Sequence, residues 1–219
     1  INMKILLFNN RIYGLTKGQY SPTSEVGKIT KSTPMGSLDY PFNPPGLAFG
    51  ASATFIGRTI DKELKHMAYM VEECSKHIGT SFLEIYQNCN IFNDGAFSNL
   101  TDRKIKSDNL IVLEESMPMI FGSDNDKGLI LDGTQFRVVS LGNDYSESDI
   151  IIHNPKDRNL GIMISEMTYN EDLPVPIGIF YKEEKPTYDL MMSDQISKAE
   201  KTKFDLQSII EGPNSWDVK

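Results

Sequence analysis

The stretch of this chain best suited to chemistry is two amides followed at once by glycines and hydroxyls. Asn9 and Asn10 close the apolar run ILLF, and the loop RIYGLTKGQYSPTS over 11–24 follows. An Asn side-chain oxygen is a neutral, hard donor of the kind that Mg2+ or Ca2+ accepts, and a loop that doubles back can add a main-chain carbonyl. Phosphate oxygens, water or a carboxylate must supply the remaining positions. The alternative is an amide pair that closes a turn at the end of a strand. Thr16, Ser21, Thr23 and Ser24 can donate to a phosphate or brace turns. Lys17, beside Gly18, can attract an anionic group or sit in solvent.

Cys89 is the second candidate, in the amide-rich segment QNCNIFN over 87–93. A lone thiol there is buried filler, a reactive group, a metal ligand or an iron–sulfur ligand. Cys74, the only other cysteine, falls on an apolar helix face and reads as core. With two cysteines and no CxxC pair, these residues cannot build a whole cluster, and they argue against a disulfide-stapled secreted scaffold. A reducing, cytoplasmic location is the expectation. His66, His77 and His153 read as structural or exposed, and the methionines as filler.

Lys and Arg number 22 against 30 Asp and Glu, for a net charge of -8. No basic cluster interleaves with aromatics, so nucleic acid is not an expected partner. Acidity leaves anionic ligands open, because one Lys, a metal ion or a few amides hold a phosphate locally. No apolar run approaches the roughly 20 residues of a membrane helix, and the first residues given do not read as a basic-then-apolar secretion segment.

The elements that must position these residues read as α/β. MKILLF (3–8) is expected as a central, fully buried strand. Residues 9–45, rich in Gly and Pro, are expected as a long functional loop. LAFGASATFIG (47–57) suits a short helix. Leu64, Met67, Val71, Cys74 and Ile78 form one apolar face of a helix over 61–78, ended by Gly79. SFLEIY (81–86) is a strand, and strand, helix, strand is the grammar of a parallel sheet with crossover helices. Short strands are expected over 109–115, 127–133 and 136–142, with 149–154, a helix over 159–169 and PVPIGIFYK (174–182) after them. A polar tail over 187–219 completes one expected domain, 1–219.

NNRIYGLTKGQYSPTS resembles the thiamine-diphosphate-binding end of the beta subunit of 2-oxoacid:ferredoxin oxidoreductases, particularly the 2-oxoglutarate type. The likeness continues through STPMG (32–36), GASATFIGR (50–58), LEIYQNCNIFN (83–93) and VPIGIFYKEEKPTYD (175–189). It implies a parallel sheet flanked by helices, the diphosphate-binding module of the thiamine enzymes. It also implies that the Asn10 side chain and the Ile12 carbonyl ligate Mg2+ bridging the thiamine diphosphate, with Gly14, Leu15 and Thr16 beside the cofactor. Leu15 and Lys17 then face the substrate, Lys17 pairing with the distal carboxylate of 2-oxoglutarate.

By the same resemblance Cys89 is one ligand of a 4Fe–4S cluster. The other three cysteines and the acidic Mg2+ ligand of a GDGD-type segment belong to an upstream region absent here. The chain is therefore expected to begin inside its domain and to be inactive alone. Asn90 stands where the family often has Pro, which alters loop stiffness and keeps the thiolate. The implied activity is oxidative decarboxylation of a 2-oxoacid to acyl-CoA, with electrons passing to ferredoxin and with an alpha subunit as partner. The alternatives are a non-redox thiamine-dependent decarboxylase, a non-catalytic interaction subunit, and an ordinary α/β domain with a Gly/Pro-rich surface loop.

Overall fold

Parallel pairing of three short strands organises the part of the chain that carries the candidate residues. The structure is a computed structural model that describes residues 1–142, 144–200, 205–212, 216 and 218. Asn2–Lys185 form one compact unit; Ile1 and Pro186–Lys219 form a second.

In the larger unit, β1 (Lys4–Asn9) is followed by α1 (Pro44–Gly50), β2 (Phe55–Ile60), α2 (Leu64–Lys76) and β3 (Ser81–Tyr86). Two single-turn helices, α3 (Ser98–Thr101) and α4 (Lys106–Asn109), lead to β4 (Leu110–Val112). Then come β5 (Ile120–Phe121), β6 (Lys127–Asp132), β7 (Gln135–Ser140), α5 (Arg158–Glu166) and β8 (Val175–Lys182). The main sheet has the order β1-β3-β2-β8-β4, and β5-β6-β7 form a separate antiparallel sheet. Strands β1 and β3 run parallel as expected; β2, which was not expected as a strand, is parallel to β3, β8 is antiparallel to β2, and β4 is parallel to β8. The sheet is thus mixed and mostly parallel, with helices packed against it.

The strand expected at the centre stands at the edge. Among the described residues β1 pairs only with β3, and Ile5, Leu6 and Phe8 remain exposed, Phe8 by 55%. The central position belongs to β2, whose six residues FIGRTI are all buried. Residues 47–57 were expected as one helix. Instead α1 starts earlier, at Pro44 and Pro45, whose fixed φ and missing N–H suit a first turn, and the Asn43 side chain caps it at Gly46 N (3.0 Å). Ser52, with φ of 59°, turns the chain out of α1, and β2 begins at Phe55.

Helix α2 forms, but its face is rotated from the expected one. Met70 and Cys74 are buried, whereas Leu64 and Ile78 are 67% and 59% exposed. The reason lies in β2: a side chain on Gly57 would come within 2.6 Å of the Met70 methyl, so the missing Cβ makes the space Met70 fills. That Cβ would also meet the Gly178 carbonyl of β8 at 2.7 Å. Met70, Cys74, Phe55, Leu83 and Ile85 pack together beneath α2, each large side chain contributing roughly 1.5–3 kcal/mol of burial. A larger cluster on the opposite face includes Phe49, Ile56, Ile164 and Phe180. The stretch 149–154 makes one isolated bridge, Ile152 to Pro118, rather than a strand.

Within Pro186–Lys219, α6 (Tyr188–Glu200) and α7 (Leu206–Ile210) form, the latter capped by Asp205 accepting from Ser208 N at 2.7 Å. The expected extended, polar tail over 187–219 falls partly on 201–204, 213–215, 217 and 219, which lie outside the described residues.

Candidate functional site at the end of the first strand

Parallel register brings Asn9, Tyr86 and Ile60 level at one end of the sheet. Asn9 is turned inward. Its Nδ2 donates to Glu84 Oε1 (2.7 Å), and its Oδ1 accepts from Thr23 Oγ1 (2.7 Å) and Arg11 N (3.1 Å). Glu84 in turn accepts from Arg58 Nε at 2.7 Å, and Arg58 also reaches the Thr168 hydroxyl. The Arg58 guanidinium lies over Tyr86 and Phe180 with ring centroids at 4.8 and 5.2 Å. Burial opposes its charge, but Tyr86 and Glu84 outweigh that and raise its pKa above the ordinary arginine value. A buried chain of polar contacts therefore runs from Thr168 through the sheet centre to the start of the loop.

Asn10 is half-buried, and its Oδ1 accepts from Ile12 N at 3.2 Å. This turn leaves the amide oxygen a second lone pair. Arg11 adopts φ of 55°, reversing the chain, and its guanidinium rests over Tyr86 and Phe97 at 5.2 and 4.9 Å. The carbonyls that follow are engaged one after another. Asn9 O accepts from Gln87 N (3.1 Å), Asn10 O from Asn93 Nδ2 (2.9 Å), and Arg11 O from Ser24 Oγ (2.6 Å). Ile12 O accepts none among the described residues, and Ile12 stands outside regular sheet pairing.

From Tyr13 to Gln19 the loop folds into a tight turn. Tyr13 N donates to Gln19 O (2.8 Å), Lys17 N to Gly14 O (3.0 Å) and Gly18 N to Tyr13 O (3.0 Å). Thr16 Oγ1 reaches Tyr13 O at 3.4 Å, which is turn bracing. Leu15 is 98% exposed and Lys17 is exposed, so both project from the tip. Phe92 packs beneath: a Cβ on Gly18, where φ is 98°, would meet its ring at 3.2 Å. The expected functional loop is thus folded against the strand end.

Cys89 is half-buried with a free thiol, and its carbonyl accepts from Asn93 N at 3.0 Å. Cys74 is buried as expected, and burial pushes its thiol pKa up. The contacts through Gln87, Phe92 and Asn93 bring the Cys89 segment and the Asn10–Gly18 loop together. Asn93, Arg58 and Glu84 were not singled out in the sequence. The signal for the last two was a charged residue inside each of two apolar strands, FIGRTI and SFLEIY.

Asn10 Oδ1 and Ile12 O fit a hard divalent cation as two neutral oxygens of one turn. They are not a full set. Among the described residues no group of three His, Cys, Asp or Glu is placed to hold a metal. A cavity of about 690 Å3 is lined in part by Asn9, Arg11, Thr23, Tyr86 and Tyr169. Asn10, Ile12 and Lys17 are not among its lining residues.

Residues 1–85 match the family model for the thiamine pyrophosphate enzyme, C-terminal TPP binding domain. Over 224 aligned residues the chain is 40% identical to the 2-oxoglutarate oxidoreductase subunit KorB of Mycobacterium tuberculosis, covering 100% of this chain and 60% of that relative. It is 32% identical over 105 residues to the 2-oxoacid:ferredoxin oxidoreductase subunit beta of Saccharolobus solfataricus, covering 48% of this chain and 34% of the relative. The chain therefore spans less than two thirds of the length of either. The solved 2-oxoglutarate:ferredoxin oxidoreductase from Magnetococcus marinus, with 2-oxoglutarate, coenzyme A and succinyl-CoA bound, superposes with a TM-score of 0.63 at 22% identity. That match covers 98% of this chain and 59% of the other, and shows a shared fold. Identity along its whole length, together with that fold, places the chain in the beta-subunit family of the 2-oxoacid:ferredoxin oxidoreductases, to which it belongs.

Proposed function

We propose that the chain acts within the beta subunit of a 2-oxoglutarate:ferredoxin oxidoreductase, holding the diphosphate of thiamine diphosphate through Mg2+. One observation carries this reading: the carbonyls of Asn9, Asn10 and Arg11 are engaged, whereas Ile12 O accepts no hydrogen bond among the described residues and the Asn10 amide oxygen keeps a second lone pair. Groups outside the described residues complete the metal's coordination.

Thiamine diphosphate, when bound, supplies the reactivity that removes the carboxyl group of a 2-oxoacid. The protein's share is positioning and charge. Gly18 lets the turn lie against Phe92, with Gly14 alongside, and the turn carries Leu15, Thr16 and Lys17 outward at its tip. Leu15 offers an apolar wall and Lys17 a cation suited to the second carboxylate of 2-oxoglutarate. Cys89 would serve as one ligand of a 4Fe–4S cluster whose other ligands lie outside these residues, and such a cluster, when bound, would supply electron transfer to ferredoxin. An alpha subunit completes the cofactor pocket, coenzyme A takes the acyl group, and the complex is cytoplasmic. No helix among the described residues is long and apolar enough to cross a membrane.

The test is reduction of ferredoxin by 2-oxoglutarate and coenzyme A, catalysed by the purified complex, with iron and acid-labile sulfide measured alongside. Wild type is expected to reduce ferredoxin and to contain the cluster, and Cys89→Ser to lose iron, sulfide and reduction together. Decarboxylation without ferredoxin reduction, in protein free of iron, would favour a non-redox thiamine enzyme.

A further inference from the structure

We infer that Asn93 is a positioning residue for the diphosphate metal, fixing the donor loop from the segment that carries Cys89. The inference rests on the proposed function and adds to it a residue that touches neither cofactor nor substrate. Asn93 is 5% exposed and stands 83 positions from its main partner. Lys28 Nζ donates to its Oδ1, and an ammonium can only donate, so the amide is oriented with Nδ2 toward the donor loop. Nδ2 donates to Asn10 O at 2.9 Å and lies 3.5 Å from Arg11 O. With Ser24 Oγ closing Arg11 O, the peptide planes on both sides of Arg11 are held, and the two donor oxygens, Asn10 Oδ1 and Ile12 O, flank that held segment.

The same residue also holds the Cys89 turn. Asn93 N donates to Cys89 O at 3.0 Å, and the two residues form an isolated bridge. The backbone of Asn93 thus fixes the thiol's segment while its side chain fixes the metal donors. Hydrogen-bond partners that orient metal ligands from behind typically change metal affinity by about 10- to 100-fold when removed.

Asn93→Asp separates this role from simple packing, because aspartate keeps the size and the Lys28 contact but replaces the donor with an oxygen facing the Asn10 carbonyl. In the complete complex with its alpha subunit, the Mg2+ concentration for half-maximal thiamine diphosphate binding is measured by calorimetric titration. The metal-free melting temperature is measured on the same samples. The variant is expected to need about 10- to 100-fold more Mg2+, to recover full binding in excess Mg2+, and to melt within a degree or two of wild type without metal. Equal Mg2+ dependence in wild type and variant overturns the inference and leaves the proposed function standing. Binding by the wild type that does not depend on Mg2+ overturns the functional reading and the inference with it. Should Asn93→Asp fail to assemble, Lys28→Met, which frees the amide to flip, decides instead: a smaller shift in the same direction supports the inference, and none overturns it.

Discussion

Asn9 and Asn10 are adjacent amides with different employment. Asn9 uses both side-chain polar atoms inside the fold, on Glu84 and Thr23, whereas Asn10 keeps an oxygen lone pair at the turn whose amide donor is Ile12 N. Lys17, exposed at the tip with φ of 63°, is held among the described residues by the backbone turn. A hydrogen bond to a charged group is worth about 1.5–3 kcal/mol. Lys17→Ala in the complete complex is therefore expected to raise KM for 2-oxoglutarate about 10- to 100-fold, and to change KM little for a 2-oxoacid that lacks the second carboxylate. Steady-state kinetics with both substrates checks this, and an unchanged KM for 2-oxoglutarate contradicts it. Asn10, Ile12 and Cys89 were candidates in the sequence because residue type and the resemblance named them. Asn93 was not, because its role arises from a contact across 83 positions that no local pattern encodes.

At the scale of elements, strands β2 and β3 set Arg58 opposite Glu84 in parallel register, and both side chains are almost wholly buried. Removing one partner of such a pair strands the other charge away from water, at a cost of about 3–5 kcal/mol. Glu84→Gln keeps the contact with Asn9 and removes the charge, so the full penalty is expected in urea unfolding. A loss under about 1 kcal/mol would show that the ion pair does not hold the sheet centre. The types of β1, α2 and β3 followed from the apolar pattern, but their places did not, and β2 lay partly inside a run read as a helix. MKILLF reads as central because it is apolar throughout, yet β1 has one strand neighbour and exposed side chains. The rotation of α2 depends on the space above Gly57, which belongs to a strand hidden within the run GASATFIGR.

Across the whole molecule, protonation is the simplest global probe. His153 is 2% exposed and its Nε2 donates to the Ile179 carbonyl at 2.8 Å. Burial depresses its pKa below the ordinary value, against smaller opposing effects of that carbonyl and of Glu115. Burial likewise lowers His66 and His77. The unfolded chain therefore binds these protons more readily, and stability that is full above a pH of about 6.5 is lost as pH falls below it. Urea midpoints taken from pH 7.5 to 5.5 are expected to fall with pH, and His153→Gln to flatten the slope. An identical slope in the variant would remove His153 from the account.

The central claim is that Asn10 and Ile12 present their oxygens to the diphosphate's metal. Its most direct test places Mn2+ in the complete complex with thiamine diphosphate, with every isoleucine labelled by 13C at the carbonyl, and reads electron–nuclear double resonance. A strong 13C coupling that is lost with Asn10→Ala is predicted. A loaded Mn2+ site without isoleucine carbonyl coupling would contradict the claim.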